Sequence, residues 1–263
     1  MDIQGEFDEK FKSIVDCYEN QFELNLDIGS SLAITYHGEL VVDIWAGTRD
    51  KAQSLPWQED TIVNVFSSTK NATSLAAYVL ADRGHLDFKT PVAEYWPEFA
   101  QKGKENILVS HIMSHSSGLA GWDETVAGND LYDPDKVAAL FETQEPWWEP
   151  GTALGYHAIS VGNLMGEIIK RISGKTVGNL FKDEIAKPLG IDFHIGLEDK
   201  HHSRVAEIHQ AVESNPEDLF ELEEGSVMHK VMTNGIITAS DANTPEWRRA
   251  EIPAAGGHGN GRS

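Results

Sequence analysis

Two β-rich runs, Ser31 to Tyr36 and Leu40 to Trp45, are separated only by His37-Gly38-Glu39. This reads as a hairpin. A lone hairpin is marginal in water, so other elements must pair with its edges and cover its apolar face. The segments around it are helical in pattern. Phe7, Phe11, Ile14, Val15, Tyr18 and Phe22 predict an amphipathic helix over 6–23. The Ala/Leu-rich stretch from Ser67 to Arg83 stops at Gly84, and the apolar positions between Ala158 and Ile172 stop at Gly174. Val177, Leu180, Phe181 and Ile185 predict another helix, ended by Pro188, and Ser110 is expected to cap a short helix before Gly118. A helix, a hairpin and a long helical middle favour an α+β architecture over alternating βαβ units. The expected division is 1–60 for the first helix and the hairpin, 61–200 for the helical part and 201–263 for a return segment. Residues 213–224, acidic around Leu219-Phe220, read as an exposed helix or loop.

Composition narrows the function classes. The 263 residues carry 21 basic and 42 acidic side chains, a net charge of −21. Nucleic acid and anionic membrane surfaces need a basic footprint, so neither is an expected partner. The longest apolar run, Leu75 to Ala81, is too short to cross a bilayer. The single Cys17 excludes an internal disulfide and a cysteine-based zinc cluster. The acidic start, Met1 to Glu6, has no apolar core of a signal peptide, and a cytoplasmic location is the default expectation. The acidic excess reads as solvated surface. Read instead as salt adaptation, it predicts a melting temperature that rises with NaCl as self-repulsion is screened.

Ser67-Ser68-Thr69-Lys70 places a hydroxyl and an amine one helical turn apart. A neutral lysine amine there can take the serine proton and make a nucleophile. With this many serines and lysines such a pair arises by chance, and an N-cap serine with a surface lysine is the plain alternative. The apolar residues on both sides favour a buried lysine. Tyr156, in Pro150-Gly151-Thr152-Ala153-Leu154-Gly155-Tyr156-His157, is either a general base or an aromatic anchor for its loop. His111 and His115 have metal-ligand spacing on a helix but no third ligand, and reading one of them as a helix-end cap is simpler. His201, His202 and His209 lie in polar sequence and read as surface residues. Gly256 to Gly261 lacks the spacing of a phosphate cradle, and no Gly-x-Ser-x-Gly elbow occurs. Trp122, Trp147 and Trp148 are core fillers or walls of an apolar pocket.

Several of these pieces stand in a familiar order. Ser67-x-x-Lys70, His115-Ser116-Ser117-Gly118-Leu119, Pro150-Gly151-Thr152 with Tyr156, Gly166-Glu167-Ile168-Ile169, Ser173-Gly174-Lys175 and Pro188-Leu189-Gly190-Ile191 follow one another. The chain resembles the serine β-lactamase-related family of class C β-lactamases, D-Ala-D-Ala peptidases and family VIII carboxylesterases. The resemblance implies an antiparallel sheet flanked by helices plus a mostly helical subdomain. It implies Ser67 as acylated nucleophile, Lys70 as its activator, Tyr156 as proton shuttle and the Ser67 backbone N–H as an oxyanion donor. Trp122, Trp148 and His157 become the candidates for substrate contact. Penicillin-binding members carry Tyr-x-Asn where this chain has Tyr156-His157-Ala158, which points to the esterase-type members.

The expected activity is hydrolysis of short-chain carboxylic esters, with no metal or cofactor. A β-lactamase or D-amino-acid peptidase on the same scaffold is the alternative, and a non-catalytic binding module is another. The family also places a Lys-Thr-Gly or His-x-Gly strand beyond the region resembling 252–263. Gly257-His258-Gly259 reads as loop, so the C-terminal strands are expected to be missing and a hairpin edge left open to homo-oligomer contacts.

Overall fold

In a computed structural model, residues 2–209, 222–235 and 237–263 are described. Strand β1 (Gln4–Phe7) leads through a 3₁₀ turn into helix α1 (Lys12–Glu23), followed by β2 (Gly29–Tyr36) and β3 (Glu39–Gly47). These strands form an antiparallel sheet in the order β1-β3-β2. The hairpin turns on His37 (φ 51°) and Gly38 (φ 83°), the positive pair that a two-residue turn needs.

The predicted helix over 6–23 is corrected at its start. Phe7 lies opposite Val42 in the β1–β3 ladder, and the Asp8 side chain accepts from Lys10 N at the 3₁₀ turn. Phe7, Phe11, Val15 and Tyr18 still meet in one small core with Val42 and Ile44. Because a strand hands over to a helix on the same apolar face, residue spacing alone does not reveal the switch. The expected open edges are also partly closed. β1 covers the outer side of β3, and Gly261 N donates to Ser31 Oγ (3.2 Å) beside β2.

A second, smaller antiparallel sheet is made of β4 (Val63–Asn64), β5 (His194–Ile195) and β6 (Gly257–Gly259), in the order β4-β6-β5. The loop expected at Gly257-His258-Gly259 is therefore a strand, buried throughout. Its glycines are dictated by Phe193. A Cβ at Gly257 or Gly259 would lie 2.6 or 2.7 Å from that ring. A three-residue strand with two glycines carries no alternation to read.

The helical part holds α2 (Thr69–Asp82), α3 (Val92–Tyr95), α4 (Val109–Met113), α5 (Pro134–Thr143), α6 (Ser160–Ser173) and α7 (Val177–Phe181). Ala72, Ala76 and Ala77 of α2, Phe141 of α5 and Leu164 and Ile168 of α6 are buried in one core. Gly174 (φ 70°) ends α6 as expected. Two helix ends are corrected. After α7 the chain runs through a π turn (182–186) and a helical turn containing Pro188, and stops only at Gly190 (φ 68°). Ser110 lies inside α4, and Leu108 N donates to His111 Nδ1 (3.3 Å), so the histidine caps that helix.

His201, His202 and His209 are half-buried rather than surface residues; the His201 ring lies 4.6 Å from that of His194. Most of the acidic segment expected at 213–224 lies outside the described residues. No helix among the described residues is long and apolar enough to cross a membrane.

Candidate active site

Ser67 sits in a 3₁₀ turn (Phe66–Ser68) that runs directly into α2, and Lys70 follows one turn later. Tyr156 comes from the loop before α6. The three meet: Ser67 Oγ is 2.7 Å from Tyr156 Oη, and Lys70 Nζ donates to Ser67 Oγ at 3.1 Å. Lys70 Nζ also donates to the carbonyls of Ala158 (2.8 Å) and Ala254 (3.0 Å). All three acceptors are neutral. Burial lowers the Lys70 pKa and outweighs the contact with Tyr156, which acts to raise it. Burial alone would raise the Tyr156 pKa, but the hydrogen bonds to Ser67 and Lys70 and the lysine charge reverse that, leaving it below its ordinary value. A serine hydroxyl thus faces two groups whose affinities for a proton have been drawn together.

The backbone that presents Ser67 is strained and clasped. Phe66 has φ 43°, an uncommon left-handed value for a bulky residue. Thr69 Oγ1 donates to Phe66 O (2.5 Å) and accepts from Gly257 N (2.8 Å). Val65 N donates to Gly257 O (2.9 Å), and Thr73 Oγ1 donates to Pro253 O (2.6 Å). Segment 253–257 therefore holds both the start of α2 and its lysine. A cleft of about 380 Å³ opens beside Ser67, Lys70 and Tyr156, with Asn71 and His115 among its polar residues and Met113, Val161 and Met165 among its apolar ones.

The residues expected to contact substrate, Trp122, Trp148 and His157, are not among those lining this cleft. His157 is fully buried; its Nδ1 is 2.5 Å from Gly155 O and its Nε2 is 2.7 Å from Ser117 Oγ. Burial holds its pKa down at about 4, so it is a neutral structural residue. Trp122 is buried, stacked on Phe141, with its indole N–H given to Val137 O (3.0 Å). Trp148 donates to Ala153 O (3.1 Å) and packs over Gly155, bracing the Tyr156 loop rather than lining the cleft. Of the two histidines weighed as metal ligands, His111 caps α4 whereas His115 lines the cleft. Among the described residues, no group of three or more His, Cys, Asp or Glu could hold a metal ion. Sequence reasoning missed the carbonyls of Ala158 and Ala254, since any residue supplies a carbonyl. It also missed Thr69, whose clasp depends on a strand that was not legible.

Known proteins share the sequence pattern and the fold of this chain. A family profile described as Beta-lactamase matches residues 22–263. The chain is 36% identical over 202 residues to the Esterase/beta-lactamase LipL of Mycobacterium tuberculosis, covering 74% of this chain and 45% of that protein. It thus spans about half the length of the curated relatives it matches. The crystal structure of a family VIII carboxylesterase superposes with a TM-score of 0.89 at 38% identity, covering 99% of this chain and 69% of the other. A penicillin-binding protein homologue from Caulobacter crescentus superposes with a TM-score of 0.90 at 33% identity, covering 99% and 68%.

Proposed function

The chain belongs to the β-lactamase family, and from that premise we propose that it is a serine hydrolase cleaving short-chain carboxylic esters through a Ser67 acyl-enzyme. The observation that carries the proposal is the triangle of Ser67 Oγ, Tyr156 Oη and Lys70 Nζ. Lys70, neutral at the outset, holds the phenol proton, and Tyr156 as phenolate takes the Ser67 proton as Oγ attacks the ester carbonyl. The Ser67 backbone N–H steadies the oxyanion, a donor of a kind typically worth ~3 kcal/mol in the transition state. The tetrahedral intermediate collapses, the C–O bond breaks and the alcohol leaves with the proton from Tyr156. Water, deprotonated by the same pair, then attacks the acyl-enzyme and releases the acid. Splitting one difficult step into two is the purpose of the covalent intermediate.

The small cleft favours a short acyl group. At position 158 an alanine, whose carbonyl is engaged by Lys70, stands where penicillin-binding members carry asparagine, which favours esters over β-lactams. The test is turnover of p-nitrophenyl acetate and butyrate together with labelling by a serine-reactive phosphonate. Label on Ser67 and loss of turnover in Ser67→Ala are expected. Label elsewhere, or full activity in that variant, overturns the assignment. Nitrocefin turnover faster than ester turnover would favour the β-lactamase reading.

A further inference from the structure

His115 takes no part in the proton transfers above, yet it lines the same cleft as Ser67, Lys70 and Tyr156. Its ring centroid is 5.2 Å from that of Tyr156. Its orientation is fixed from behind. The backbone N–H of His157 donates to His115 Nδ1 at 3.0 Å, so Nδ1 must be the unprotonated nitrogen. His157 is itself immobilised by its bonds to Gly155 O and Ser117 Oγ. Gly155 N donates to His115 O at 3.0 Å, which ties the main chains together. Burial, and then the charge of Lys70, hold the His115 ring neutral by lowering its pKa. A neutral imidazole with Nδ1 as acceptor carries its proton on Nε2. Among the described residues, Nε2 has no hydrogen-bond partner. His115 keeps this pose at φ 60°, a left-handed backbone that few non-glycine residues adopt.

We propose that His115 is a substrate-positioning residue whose Nε2–H donates a hydrogen bond to an oxygen of the bound ester, seating the ester beside Tyr156. This inference rests on the Ser67 acyl-enzyme reading and adds a recognition contact to it. A donor that holds the ester alike in the ground state and the transition state acts on KM more than on kcat.

The two ring nitrogens have different jobs, and two substitutions separate them. His115→Asn keeps an acceptor near Nδ1 and tolerates the left-handed backbone, but removes the outward donor. His115→Gln places an amide N–H near Nε2 but gives up the inner acceptor. With p-nitrophenyl butyrate, His115→Asn should raise KM about tenfold with kcat little changed and the melting temperature held. His115→Gln should recover most of the KM despite a lower melting temperature. The reverse order, equal impairment of both variants, or a parent-like KM in His115→Asn overturns the inference. Ser67→Ala run alongside separates the two readings. Full activity there removes the Ser67 reading, and the role of His115 with it; an inactive Ser67→Ala with the reverse order in the His115 variants removes only the present inference.

Discussion

Gly162 and Gly166 are one turn apart on α6, and the same substitution at the two should have opposite effects. A Cβ on Gly162 would lie 2.5 Å from Ala254 N, 2.8 Å from Pro253 C and 2.9 Å from Ala254 Cβ. Two of these atoms are main chain and the third is fixed to it, so the segment must move as a body. Overpacking of this kind costs about 1–3 kcal/mol, while replacing glycine in a helix returns at most about 1 kcal/mol. Position 162 lies in the first turn of α6, where that return is smaller still. Gly162→Ala should therefore lose roughly 1–2 kcal/mol.

It should also lose activity, because the displaced Ala254 carbonyl is the one 3.0 Å from Lys70 Nζ. A shift of even part of an ångström at such a group lowers the rate by roughly tenfold to a hundredfold. On Gly166 the nearest atoms to a new Cβ are Pro253 Cγ and Val177 Cγ2, both at 3.7 Å, an ordinary contact distance. Gly166→Ala should gain about 1 kcal/mol, a rise of about 2–4 °C in melting temperature, with activity unchanged. Thermal unfolding and ester turnover of both variants provide the comparison. A Gly162→Ala protein as stable and active as the parent, or a Gly166→Ala protein that melts lower, would refute the reasoning.

Three further outcomes follow from the same structure. Burial lowers the pKa of His157 and of His258 to about 4, so the unfolded chain binds more protons than the folded one between about pH 6.5 and 4. Each contributes roughly 3 kcal/mol of stability that is present above pH 6.5 and lost as the pH falls through 4; a His157→Gln/His258→Gln protein should show a shallower acid loss, and parallel curves would rule this out. Lys104 is fully buried and donates to Glu142 O (3.1 Å) and Gln144 O (2.7 Å), so Lys104→Met leaves two carbonyls unpaired and should lower stability by about 2 kcal/mol in urea titrations. Tyr156→Phe removes the phenol hydroxyl but not the ring, and should cut kcat by about 10²–10⁴ while the melting temperature stays close to that of the parent.

The legible parts of the fold were those with a period or a stop. The hairpin showed strands around a turn, and α2 and α6 showed apolar spacing ended by Gly84 and Gly174. What escaped had no side-chain signature. β6 is three residues long, and its two glycines are required by the Phe193 ring rather than by any strand propensity. The handover from β1 to α1 keeps one apolar face through a change of backbone, so the spacing is that of a single helix. That Ser67, Lys70 and Tyr156 meet was legible because the proposed chemistry lies in their side chains. Trp122 and His157 lie away from the cleft, and closeness in sequence to a motif does not say which side of its loop a ring occupies. Both are buried: Trp122 donates to Val137 O, and His157 ties the Tyr156 loop to Ser117.

The missed carbonyls bear on the base role proposed for Lys70. A buried lysine beside a carboxylate would be held protonated by the ion pair, and would be of little use as a proton acceptor. Here Nζ is oriented by Ser67 Oγ and by the carbonyls of Ala158 and Ala254, which have dipoles but no net charge. They favour the protonated amine far less than a carboxylate's full charge would, and burial still lowers its pKa. Ala158 precedes α6 closely, and Ala254 belongs to the segment clasped by Thr69 and Thr73. The lysine is therefore positioned by main chain lying 88 and 184 residues away from it. In a chain whose acidic residues outnumber its basic ones two to one, the absence of a carboxylate among these three contacts matters as much as the contacts themselves.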